Sequence, residues 1–292
     1  MTTLALALSF LLVAPAKSET PAAALVVAAS GPVAVTEAGS APRSIGALEW
    51  LPSGVVLDVA SQTAVIALAG GRRYELAARA RVRVLPDRLE VLAGEAHELP
   101  SVAPFPKTAR LAAHEQAGAR SGAMRIRGRS IQGLYPCADA VTLAEATTLR
   151  FSAEPGVAEY HVEIEDEEGA TLFHVSTRGS EVVVARDVLR PGRRYRWSVR
   201  GGSAEGLARG EAEFSTLDAD AAAARQKLRE SLGGSDDVPS ISLLAEVDRQ
   251  LGLLLEARDG FARALGRSPG SSELHAAQAR VEAQLRGGVP PE

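Results

Sequence analysis

Cysteine is almost absent: the 292 residues hold one, Cys137. No intramolecular disulfide is available, so each domain must be held by its own apolar core. Cys137 is open to three readings: a reactive thiol, a dimer cross-link, or a small buried apolar side chain at the edge of a β domain, the usual state of a free cysteine. Aromatic residues are scarce at 4%, which leaves few rings to stack on a ligand. Lysine is rare, with Lys17, Lys107 and Lys227 the only three among 32 basic residues, and the formal net charge is −4. No global basic field exists to hold nucleic acid or an anionic membrane. A bilayer span needs about 20 consecutive apolar residues, and no run approaches that length. Catalytic signatures are missing as well: there is no H-E-x-x-H, G-x-S-x-G, P-loop, G-x-G-x-x-G or C-x-x-C. The expectation is a chain with no enzymatic activity, no cofactor and no metal site.

What is present is ordinary for a globular protein: 46% hydrophobic and 23% charged residues, over a length that suits two or three domains. Leu4 to Ala14 is an apolar run of signal-peptide length, and Ala14-Pro15-Ala16 offers a small-x-small cleavage site. Residues 1–16 are expected to be a signal peptide, with the mature chain starting near Lys17 in a periplasmic or secreted location.

From 22 to 99 the pattern is short alternating segments cut by turn residues, which predicts a small all-β domain. Gln62 to Ala69 and Arg72 to Leu76 flank Gly70-Gly71, a two-residue hairpin signal. Arg79, Arg81 and Arg83 alternate with Ala80, Val82 and Val84, giving one wet face and one buried face. Gly54, Gly71, Leu76, Val82, Val84, Leu89, Leu92 and Gly94-Glu95 together resemble a FecR-like periplasmic domain, with Gly70 where that family often carries Asp. The family's signal relay uses a transmembrane helix, which this sequence does not show. The resemblance therefore implies an extracytoplasmic binding or scaffolding module.

Residues 100–132 hold Pro100, Pro104 and Pro106, then an Ala/Gly/Arg-rich stretch, and read as a linker with a short helix around Thr108 to Gln116. Arg120, Arg125, Arg127 and Arg129 make it locally basic. A polyanion site is one reading of these arginines; a solvated face or an edge strand through Met124-Arg125-Ile126-Arg127 is the other.

Residues 133–217 carry recurring short strands: Leu149–Ser152, Tyr160–Glu165, Thr171–Ser176, Glu181–Ala185, Arg194–Arg200 and Gly210–Thr216. Their spacing suits a sandwich. Leu189, Pro191-Gly192, Tyr195, Trp197 and Val199 resemble the corner between the fifth and sixth strands of a fibronectin type III domain. That resemblance implies a corner tyrosine with its ring buried and its hydroxyl bonded to backbone. Period two then sends Arg194, Arg196 and Arg200 outward, beside an outward row of His161, Glu163 and Glu165. The two rows are expected to form a ladder of opposite charges; an anion-binding arginine face is the alternative.

Residues 218–292 turn helical. Four helices are expected: Ala221 to Leu232, stopped by Gly233-Gly234; one opened by Pro239-Ser240 and running through Leu251; one from Leu254, stopped before Pro269; and Ser272 to Leu285. Leu244, Gly252, Ala257, Phe261, Ala264 and Pro269 resemble one tetratricopeptide repeat, with Ile241, Ala245 and Asp248 departing from the motif. One repeat cannot bury its faces alone, so the flanking helices should cap it.

The fold class expected is mainly β with an α-helical C-terminal tail: a small all-β domain, a fibronectin type III-like sandwich and a short helical hairpin bundle. Candidate site residues are few. His161 and His174 can approach across one hairpin, near Glu163 and Glu165, but two histidines on a solvated strand face read as surface residues. The acidic run Glu165-Asp166-Glu167-Glu168 lacks the oxygen spacing of a calcium loop. Trp50 and Tyr74 are the one plausible aromatic platform for a glycan. The leading expectation is an exported scaffold that binds other envelope or secreted proteins through its β domains and helical tail. A peptidoglycan or other cell-wall glycan binder, using the first domain, is the alternative.

Overall fold

The computed structural model describes residues 22–107, 129–137, 140–203, 206–234 and 236–285. The expected leader, the expected linker helix, His114 and the arginines Arg120, Arg125 and Arg127 lie outside the described residues.

The first unit contains β1 (Ala22–Ala29), β2 (Val33–Thr36), β3 (Arg43–Ile45), β4 (Trp50–Pro52), β5 (Val56–Val59), β6 (Ala64–Leu68), β7 (Arg73–Leu76), β8 (Arg81–Val84), β9 (Leu89–Ala93) and β10 (Ala96–Leu99). Turn residues cut the chain every few positions, so the strands stay short and stack as two layers. The layers are five-stranded antiparallel sheets, ordered β10-β7-β6-β1-β4 and β3-β2-β5-β8-β9. The alternation at 79–84 holds: Ala80, Val82 and Val84 are buried between the layers, and the three arginines face water. Gly71 ends the β6–β7 hairpin with φ 95°, and a Cβ there would sit 2.1 Å from the Val102 carbonyl oxygen. Only glycine lets the backbone of 100–105 dock this closely. Val102 donates its N–H to the Gly71 carbonyl at 2.8 Å, and Phe105 is buried against the sheet.

β1 departs from simple alternation. Ala22 through Val27 are all buried. Ala24 and Val26 pack between the two sheets, while Leu25 and Val27 pack on the opposite face with Phe105 and the C-terminal helices. A strand covered on both faces has no wet side, hence the unbroken apolar run.

The second unit contains β11 (Arg129–Ser130), β12 (Val141–Thr142), β13 (Thr148–Arg150), β14 (Tyr160–Glu165), β15 (Thr171–Thr177), β16 (Glu181–Val183), β17 (Arg194–Ser203) and β18 (Gly206–Thr216). One sheet runs β11-β18-β17-β14-β15, with β12 also paired to β18, and the facing sheet is β13-β16. The core between them holds Leu149, Phe151, Tyr160, Val162, Ile164, Leu189, Tyr195, Trp197, Val199 and Phe214. The corner forms as expected: the Arg190 N–H donates to the Tyr195 hydroxyl at 2.8 Å. Trp197 is 1% exposed and donates its indole N–H to the Pro136 carbonyl at 2.7 Å.

Four helices follow among the described residues: α1 (Ala219–Ser231), α2 (Val238–Gln250), α3 (Leu254–Arg267) and α4 (Ser272–Leu285). Asp218 and Asp237 cap α1 and α2 by accepting from the N–H groups of Ala221 and Ser240, both at 2.8 Å. Gly252, at φ 78°, turns the chain from α2 into α3. Small residues at the α2–α3 contact bring the helices close, and a Cβ on Gly260 would lie 2.7 Å from that of Ala245. Phe261, on α3, is buried in the core of the helical unit. No helix among the described residues is long and apolar enough to cross a membrane.

Truncating Trp197 removes the largest side chain of the second core. Trp197→Ala is expected to destabilise that sandwich by about 3–5 kcal/mol. Urea unfolding followed by far-ultraviolet circular dichroism measures it; a loss under about 1 kcal/mol would mark a surface position and contradict the burial.

Candidate functional site

The two aromatic candidates of the first unit are not brought together. Tyr74, on β7, is half-buried and packs on the core between the two sheets. Trp50, on β4, packs with the other cluster, against Phe105 edge to face at 5.6 Å. Its indole N–H donates to Glu246 Oε1 of α2 at 2.8 Å. Trp50 therefore joins the first unit to the helices, a hydrogen bond to a carboxylate worth about 1.5–3 kcal/mol.

On the outer face of the second sandwich the charge ladder is present. Glu165 lies opposite Arg196 and His161 opposite Arg200 across the β14–β17 pair. Arg196 Nε stands 3.9 Å from Glu165 and one of its terminal nitrogens 3.7 Å from Glu211; Arg200 stands 3.5 Å from Glu163. The pairs are part-exposed, so each contributes at most about 1 kcal/mol and the face is solubilising. The arginine face is thus neutralised by its own neighbours. His161 and His174 stack with rings 6.3 Å apart, and His161 Nδ1 is 2.9 Å from the Ser176 hydroxyl. Among the described residues no group of three His, Cys, Asp or Glu side chains is placed to hold a metal ion. Asp166 ties the acidic turn by accepting from the N–H groups of Glu168 and Ala170, and Cys137 is half-buried.

The chemistry missed by sequence reasoning lies around α2. Ten of its 13 residues are buried, including Ser240, Ser242, Glu246, Asp248, Arg249 and Gln250. Leu243 and Val247 pack on Leu25, Val27, Ala67 and Phe105, while Ile241 and Ala245 pack on α3 and α4. Leu48, in the β3–β4 loop, enters the helical cluster at 5% exposure with φ 65°. A left-handed leucine costs about 1–2 kcal/mol. Burying its side chain contributes about 1.5–3 kcal/mol, enough to hold the strained loop in place. The second sandwich meets the same junction, where the Val141 N–H donates to the Gly252 carbonyl at 3.3 Å.

Two charge systems pair the buried charges of α2. Arg225 of α1 grips both oxygens of Asp248, Nε to Oδ1 at 2.5 Å and a terminal nitrogen to Oδ2 at 2.8 Å. Arg249 likewise bonds both oxygens of Glu246, at 2.7 and 2.9 Å. Burial pushes the Asp248 carboxyl above its ordinary range, and the Arg225 guanidinium pulls it back. Beside them Glu256, in the first turn of α3, is also pushed up by burial; its own backbone N–H pulls it down and Asp248 raises it again. Burial and the nearby Glu256 charge raise the Tyr135 phenol, which hydrogen-bonds the Leu255 backbone.

A groove of about 300 Å³ opens over this junction, between α1 and α3. Its floor is Ile241, Leu244 and Ala245, and its rim carries Arg229, Glu256 and Asp259.

These features define a mainly β protein with a fibronectin type III-like sandwich and a C-terminal helical unit. That assignment of the sandwich rests on its strand order and its tyrosine corner. No family model and no curated protein matches the chain. Among solved structures it is similar to an Fn3-like protein from Clostridium thermocellum, at 20% identity over 30% of this chain and 92% of that one, with a TM-score of 0.23. It is similar to the fn3 domain of the human collagen alpha-1(XX) chain, at 22% identity over 33% and 93%, TM-score 0.26. A two-domain fibronectin type III segment of chicken tenascin is similar at 10% identity over 68% and 95%, TM-score 0.26.

The Glu256 environment makes a signed prediction. Its folded value lies above the ordinary 4.5, so protonation favours the folded state. That contribution is complete below the unfolded value and is lost as pH rises through the folded one. Glu256→Gln, neutral at every pH, is expected to raise the thermal midpoint at pH 7, with the gain vanishing below about pH 4. A lower midpoint at pH 7 would mean that the carboxylate is a stabilising ion-pair partner instead.

Proposed function

We propose that this chain is an exported, non-enzymatic interaction protein of the bacterial cell envelope, a rigid scaffold that binds other envelope or secreted proteins. Fibronectin type III-like sandwiches host many functions and are commonly protein-interaction modules. The observation that carries the scaffold reading is the burial of α2 between the first sandwich and the other helices. It fixes the units relative to one another, as a scaffold requires. The buried charges support the non-enzymatic part, because Arg225 with Asp248 and Arg249 with Glu246 are bonded to each other rather than converging on a reacting atom. Export rests on the apolar Leu4–Ala14 run and the Ala14-Pro15-Ala16 site. The FecR-like pattern of the first unit and the tetratricopeptide-like spacing from Leu244 to Pro269 point the same way, towards an extracytoplasmic module that engages proteins.

Cell fractionation with N-terminal sequencing, followed by pull-down from envelope extract and sedimentation with peptidoglycan, tests the proposal. A mature N-terminus near Lys17 outside the cytoplasm, with co-purifying proteins and no pelleting, is expected. An intact Met1 confined to cytosol overturns the export reading. Pelleting with glycan in the absence of protein partners favours the glycan-binding alternative.

A further inference from the structure

The groove between α1 and α3 has a charge arrangement that its own residues leave incomplete. Arg225 is held on Asp248 through its Nε and one terminal nitrogen. Asp259 pairs with Arg258 at 2.7 Å, and Arg263 with Asp236 at 3.5 Å. Two rim charges remain. Glu256 and Arg229 each make no ion pair within 4.0 Å among the described residues, although Arg225 acts on Glu256 through space. Glu256 is half-buried, and its closest charged company includes two more carboxylates, Asp248 and Asp259. A carboxylate in that position gains most from a cation bringing its own hydrogen-bond donors.

We propose that this groove receives an arginine or lysine side chain of a partner polypeptide, which pairs with Glu256. The claim rests on the reading of the chain as a protein-binding scaffold, and it assigns that reading a site. The apolar floor of Ile241, Leu244 and Ala245 covers the aliphatic stem, while the charged head reaches the α3 wall. Gly260 lets α3 pack directly on Ala245, which joins the α3 wall to the floor. Arg229, exposed on the α1 wall, donates to a carbonyl or carboxylate of the same segment. Size selects a side chain over a larger ligand, because about 300 Å³ is the lower end of the range of small-molecule pockets. Calcium is a poor occupant, since it takes about 6–8 oxygen ligands and the groove offers three carboxylates, of which Asp248 is already held by Arg225.

The test is an NMR titration of the whole chain with N-acetyl-argininamide, beside neutral N-acetyl-glutaminamide. Saturable shifts at Leu244 and Gly260 with the arginine probe alone are expected. Glu256→Gln should weaken that binding about tenfold or more, the loss expected for one charge-assisted hydrogen bond. Its thermal midpoint shows separately that it folds. Asp259→Asn should weaken binding less, and Glu213→Gln on the second sandwich should leave it unchanged. Equal shifts with the neutral probe, no saturable shift, or wild-type binding by Glu256→Gln overturns the site. Failure of the wider reading is a different result. If wild-type protein captures no envelope partner the scaffold reading fails, whereas capture of the same partners by Glu256→Gln leaves the scaffold reading standing and removes the groove.

Discussion

Everything else in this structure depends on how α2 is buried. A helix covered on all sides needs either an apolar surface throughout or a partner for each polar group it carries. α2 takes the second course for its charged groups, while Ser242 Oγ and Gln250 Oε1 are left without a hydrogen-bond partner. Arg225 answers Asp248 from α1, and Arg249 answers Glu246 from within the helix. Trp50 reaches the same Glu246 from the first sandwich. Removing one member of such a pair leaves a buried charge alone, at a cost of about 3–5 kcal/mol. The sandwich, α1 and α2 therefore hold their relative positions through directional bonds as well as through apolar area.

The functional consequence is geometric. Leu25 and Val27 of β1, Phe105, Leu228 of α1 and Leu243 of α2 share one core, so the C-terminal helices are part of the body rather than a tail. The inward face of α2 is spent on this contact and is closed to partners. What the helical unit offers outward is the groove rimmed by Arg229, Glu256 and Asp259. The second sandwich offers a charge face that is already balanced by its own pairs, which favours solubility over anion capture.

Features set by local period were legible in the sequence. The corner at Tyr195, the inward Trp197 and the ladder of Arg196 and Arg200 against Glu165 and Glu163 follow from period two and one Pro-Gly turn. The helix limits follow from Gly233-Gly234, Pro239 and Pro269. Contacts between units were not legible, because period shows that a face is buried without showing against what. Trp50 and Glu246 stand 196 residues apart, and a glutamate flanked by Asp248 and Arg249 looks like a solvated helix face. One signal was available: Ala22 to Ala29 is apolar at every position, and a half-wet strand would alternate. That run marked a sheet covered on its second face, and it bears on why Trp50 and Tyr74 do not share a surface.

Native-state hydrogen exchange of the whole chain tests the central claim most directly. If α2 locks the first sandwich to the helices, the amides of Val238–Gln250 and of Ala22–Ala29 open together, with the same free energy and the same denaturant dependence. Exchange from α2 at a distinctly lower free energy, with β1 still protected, would show a helix that detaches on its own and would contradict the account.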